Sequence, residues 1–137
     1  MIKDTPKGMP DSALDFPREA PESEYSDVIE YMEKTYPEMT GEFKNIQREQ
    51  YELFCKKQYD YGPQNIAVGT ILKTKEDIKL SMLGIWFRMN DKIERLKTLL
   101  MRDNNHAVEN ESVVDSFSDI SNYGVMAKVV ARGKWAK

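Results

Sequence analysis

Glu76–Arg102, EDIKLSMLGIWFRMNDKIERLKTLLMR, decides the fold. Within it Met82, Ile85, Trp86, Met89, Ile93, Leu96 and Leu100 recur at spacings of three and four, the period of one face of an α-helix. No alternating pattern of the kind a strand requires competes with it. The stripe predicts a long helix with these side chains turned to the core. On that reading Trp86→Ala leaves a cavity costing about 3–5 kcal/mol. Lys97 and Arg102 at its end suit the negative pole of the helix dipole.

Upstream, Val28, Ile29 and Met32 follow helical spacing from Tyr25 until Pro37 stops the segment. Thr40 is positioned to cap a second helix, whose stripe of Phe43, Ile46, Leu53 and Phe54 lasts until the Tyr-Asp-Tyr-Gly-Pro turn at 59–63. A shorter helical run is expected over Gln64–Leu72, weakened by Gly69. Downstream, DNNHAVENES reads as a loop and ESVVDSFSDISNYGVMAKVVARGKW as a last helix with Val113, Phe117, Ile120, Gly124 and Ala127 on one face. A glycine inside a helix costs about 1 kcal/mol against alanine, so Gly124 is expected where another helix packs closely. The sum is an all-α fold, a compact bundle of four to five helices. Residues 1–23, rich in proline and charge, read as a flexible arm before a single domain over 24–137.

Composition narrows the function classes. The chain has 137 residues, 20 basic and 23 acidic, and a net charge of −3, which argues against a surface built to neutralise duplex nucleic acid. No apolar run is long enough to span a membrane, and Met1–Pro21 lacks an apolar signal core, so a cytoplasmic protein is expected. Cys55 is the only cysteine and His106 the only histidine, which leaves neither a disulfide within the chain, nor cysteine-based zinc chemistry, nor a histidine pair.

Three charged constellations remain. Arg88, Asp91, Lys92 and Arg95 share one side of the long helix, either as a solvated face or as a cationic rail for phosphates. Glu111, Asp115 and Asp119 form an acidic ladder on the last helix, to be met by those cations or by a hard cation such as Mg²⁺. Glu49 and Glu52, a Glu-x-x-Glu pair, suit either a metal or an ordinary helix surface. Tyr61 and Tyr123, each beside polar residues, are the aromatic faces best placed to stack a base.

The ordered set KKQYDYGPQN, RMNDKIERL and ESVVDSFSDISNYGVM, spanning about Lys56 to Met126, resembles the nucleotide-modification-associated family of small helical proteins found largely in phages and bacteria. The resemblance implies Asp60, Tyr61, Gly62 and Asn65 as a first motif, Arg88, Asp91, Lys92 and Arg95 as a second, and Glu111, Ser112, Asp115, Asp119, Asn122 and Tyr123 as a third. It also implies association with nucleotide metabolism or base modification, and, if the chain is phage-encoded, the cytoplasm of a bacterial host. A looser likeness runs to MazG-like all-α nucleoside-triphosphate pyrophosphohydrolases, whose Glu-x-x-Glu pair Glu49 and Glu52 would supply. Their second pair is altered here, because Glu111 and Asp115 stand four apart.

Two readings follow. In the first, the protein binds and sequesters a nucleotide, including a cyclic or modified immune signal, without any cofactor. Arg88, Lys92 and Arg95 hold phosphates, Tyr61 and Tyr123 stack or hydrogen-bond, and Asp60 and Asn65 read ribose or base edges. A homo-oligomer would help to enclose the site. In the second, Glu49, Glu52, Glu111, Asp115 and Asp119 cage Mg²⁺ for pyrophosphate hydrolysis. An accessory subunit without a ligand is a third possibility, and predicts an empty, salt-bridged core between the two charged helices. The register of the helices chooses among them: a ladder facing the rail is already paired, whereas a ladder facing Glu49 and Glu52 crowds carboxylates until a metal is needed.

Overall fold

The computed structural model describes residues 25–102 and 112–137. The expected arm at 1–23, His106 and Glu111 lie outside them. The chain folds as an all-α bundle: α1 (Ser26–Thr35), α2 (Pro37–Tyr61), α3 (Gln64–Ala67), α4 (Lys75–Leu100) and α5 (Val113–Ala131), with no strand among the described residues. No described helix is long and apolar enough to cross a membrane. The pairing of α4 with α5 is the backbone of the fold; α3 packs on α4, α2 on α5, and α1 on α2.

Helix ends follow local chemistry. Thr74 Oγ1 accepts the Asp77 N–H at 3.1 Å to start α4, and Glu76 and Asp77 fill its first turn. Ser112 and Asp115 form a reciprocal capping box at the start of α5. The second helix begins four residues earlier than expected, because Pro37 occupies its first turn, where a missing N–H costs nothing. Thr40 therefore sits inside the helix and donates from Oγ1 to the Tyr36 carbonyl at 2.9 Å. The short helix stops at Ala67 rather than Leu72, because Val68 and Gly69 both turn left-handed, at φ 53° and 76°.

The core is Ile66, Ile78, Ile85, Met126, Val130 and Trp135. Its position bears out Met82, Ile85, Met89 and Leu96 of the expected α4 stripe and Ala127 of the α5 face, and corrects the rest of the face assignment in both helices. In α4 the inward residues are Ile78, Ser81, Ile85 and Leu96, and at about 100° per residue Lys92 falls among them. Trp86, expected in the core, is 54% exposed and packs edge-on against Phe87. Trp86→Ala is thus expected to change stability by less than about 1.5 kcal/mol; a larger loss in urea denaturation would return Trp86 to the interior. In α5 the inward residues are Ser116, Met126 and Val130, not the Phe117 face, and Phe117 is exposed. Gly124 likewise meets no close neighbour, since a Cβ built there finds nothing within 4 Å.

These rotations turn polar side chains inward, and each is satisfied. Ser81 Oγ donates to the Ile66 carbonyl at 2.6 Å, and Arg95 Nη1 donates to Ser116 Oγ at 3.0 Å. No buried side-chain nitrogen or oxygen among the described residues lacks a partner.

Candidate functional site

The inward polar face of α4 and α5 opens beside the end of α2 into a cavity of about 320 Å³, within the range of small-molecule sites. From α4 come Arg88 and Lys92, four residues apart and therefore stacked on one face. From α5 come Asp119, Asn122, Tyr123 and Met126, and from α3 Asn65 and Ile66. The last two turns of α2 supply Phe54, Lys57, Gln58 and Tyr61, spaced so that one helix face looks into the space.

Asp119 organises the charge. Its Oδ1 accepts from Lys57 Nζ at 2.8 Å and its Oδ2 from Lys92 Nζ at 3.0 Å, so one carboxylate ties α2, α4 and α5 together. Burial opposes its ionisation, but the hydrogen bonds and charges of the two lysines outweigh burial and hold its carboxyl below the ordinary range. The pairing therefore stabilises the fold above about pH 4 and is lost as acidification passes the lowered folded value. Asp119→Asn is expected to flatten the acid limb of stability between pH 3 and 5 in thermal melts; a limb parallel to that of the parent protein would show that Asp119 is not the group responsible.

Three basic side chains share the lining with this single carboxylate, which leaves it net positive. Arg88 Nη2 donates to Asn65 Oδ1 at 3.0 Å, holding the guanidinium at the start of α3. Asn122 Nδ2 donates to the Gln50 carbonyl at 3.1 Å, and Gln50 Nε2 to Ser121 Oγ at 2.9 Å, fixing α2 against α5.

The Gly62–Pro63 turn has its explanation here. Gly62 lies at φ 81°, ψ 139°, a region that side chains beyond glycine rarely enter. This kink lets α2 stop at Tyr61 and α3 start at Gln64, so that Tyr61 and Asn65 edge the same opening. A Cβ at Gly62 meets nothing within 4 Å, so the cost of Gly62→Ala is backbone strain alone. It is expected to be about 1–3 kcal/mol, read in urea denaturation; no loss would mean that the turn relaxes freely.

Of the residues singled out in sequence, Tyr61, Asn65, Arg88, Lys92, Asp119, Asn122 and Tyr123 converge on the cavity. The others among the described residues do not line it. Asp60 and Asp91 are exposed, and Gly62 shapes the turn. Arg95 is spent on Ser116, and Asp115 caps α5 through Ser112 at 3.0 Å. Hydrogen bonds from Ser112 hold the Asp115 carboxyl below its usual value, against a small effect of burial and with help from Lys57 and Arg95. Glu49 and Glu52 are exposed on α2, and Glu52 accepts from Arg48 at 3.3 Å. No three Asp, Glu, His or Cys side chains converge as a metal site among the described residues. Sequence reasoning missed Lys57 and Gln58, although stepping back one turn from Tyr61 along α2 reaches both. Family models, curated proteins and solved structures yield no match to this chain.

Proposed function

We propose that this protein binds a nucleotide in the cavity between α2, α4 and α5, and acts by holding it rather than by turning it over. The observation that carries this reading is the convergence of Lys57, Arg88 and Lys92 with Tyr61, Tyr123 and the amides of Gln58 and Asn65 in one opening. Lysine and arginine are phosphate ligands, the tyrosines offer faces for a base, and amides recognise base or ribose edges. Asp119 keeps the two ammonium groups in place before any ligand arrives, which reduces the ordering cost of binding.

A ladder carboxylate facing the rail supports binding over metal-assisted hydrolysis. The one carboxylate in the lining already accepts from two lysines, so a divalent ion would compete with both. An accessory subunit shares those ion pairs, but it has no use for tyrosines and amides around an open space. Sequestration of a phage-type signal nucleotide, linear or cyclic, fits this arrangement. The test is a thermal-shift and native mass-spectrometric screen against linear and cyclic nucleotides, with and without Mg²⁺. Release of an unaltered nucleotide on denaturation supports the reading. Mg²⁺-dependent conversion to a monophosphate would replace it with hydrolysis, and absence of any bound nucleotide would refute both.

A further inference from the structure

Neither α1 nor α2 contains a buried residue. Yet α2 carries Met39, Phe43 and Ile46 on the same side as Gln50, Phe54 and Lys57, which meet α5 further along the helix. The core-facing stripe of α2 thus continues beyond the part that the other described helices cover. Phe43 is 64% exposed and Met39 57%. Beside this stripe an apolar groove of about 530 Å³ runs between Phe43, Ile46 and Tyr51 of α2 and Val125, Met126 and Val129 of α5. No charged side chain lines it.

We propose that a second copy of this chain fills the groove, laying its own α1–α2 hairpin along the uncovered stripe in a two-fold dimer. Projecting side chains and a receiving groove lie on one face of one chain, which is the self-complementarity that an isologous interface requires. Met39, Phe43, Ile46, Tyr51 and Val125 offer on the order of 100 Å² each, so the stripe and the groove rim alone supply about 500 Å² of the roughly 800 Å² per partner of a standard stable interface, to which the adjoining α1 adds. The composition is right, with aromatic residues and Met at the centre and charge absent. A second copy brings the same uncharged stripe and groove whenever the chain is folded. The inference does not depend on a nucleotide ligand.

Sedimentation or light scattering of the full chain tests it. The parent protein is expected at twice the monomer mass, or an even multiple, with a melting temperature that rises with protein concentration. Phe43→Glu and Ile46→Glu are expected to halve the mass of the dimer. A monomeric parent, or variants that keep their helicity and their assembly, would overturn the proposal. Should the variants unfold, hydroxyl-radical footprinting of the parent protein decides. Protection of Met39 and Tyr51 supports the dimer, and modification at the rate of exposed side chains overturns it.

Discussion

Trp135→Ala is expected to lower stability by about 3–5 kcal/mol, the largest loss for any single substitution in this chain. Trp135 is 5% exposed and belongs to the central cluster. Its ring meets Phe54 edge-on, with centroids 5.9 Å apart, and its indole Nε1–H donates to the Pro63 carbonyl at 2.9 Å. The indole therefore latches the Gly62–Pro63 turn to α2 and to the core at once. A domain of ordinary stability has about 5–15 kcal/mol in total, and a cluster of six buried residues leaves little in reserve. Trp135→Phe separates the two contributions: it keeps most of the ring packing and removes the hydrogen bond, for about 1–2 kcal/mol. Urea denaturation measures both. Equal losses in the two variants would assign the effect to the hydrogen bond, and a small loss in both would show that the latch is dispensable.

Lys57→Ala together with Lys92→Ala is expected to produce the largest loss of ligand affinity. A hydrogen bond to a charged group contributes about 1.5–3 kcal/mol, and each 1.4 kcal/mol is about tenfold in Kd, so either single variant should weaken nucleotide binding by roughly 10- to 150-fold. In the double variant Arg88 is the one basic side chain left in the lining, which falls from net positive to neutral. The loss should then reach about two to four orders of magnitude, less any coupling between neighbours. Removing both partners also leaves burial to act unopposed on Asp119, so its carboxyl should titrate above its value in the parent protein. Calorimetric titration reads the affinity and carboxyl NMR the ionisation. Unchanged affinity in the double variant would move the phosphate site away from α2 and α4.

Where the sequence was legible, local rules were enough. The period of α4 and the Gly-Pro break after Tyr61 each depend on residues within a few turns. The inward faces were legible in part, since Ile85 and Leu96 are buried and Met82, Met89 and Ala127 pack against the core as expected; their polar positions were not, for a reason that bears on function. Periodicity assigns the core to the most apolar stripe, but α4 and α5 turn inward faces that include Ser81, Lys92, Ser116 and Asp119. Partners from other elements make those positions tolerable: the Ile66 carbonyl for Ser81, Arg95 for Ser116, and Lys57 with Lys92 for Asp119. Such partners are distant in sequence, so no window contains them. Trp86 and Phe117 were misplaced by the same cause, because the faces carrying them were rotated aside to admit a polar cavity.

The length of α2 has a mechanical consequence. Its 25 residues form one helix without interruption, a rod about 37 Å long at 1.5 Å per residue. The Met39–Ile46 end and the Lys57–Tyr61 end are parts of the same stiff member, so a force that tilts one end swings the other like a beam on a pivot. The pivot is where Gln50 grips Ser121 and Asn122. Cys55, exposed and the sole cysteine of the chain, lies just past that pivot toward the cavity. A single dye attached there would register an angular displacement begun at either end of the rod.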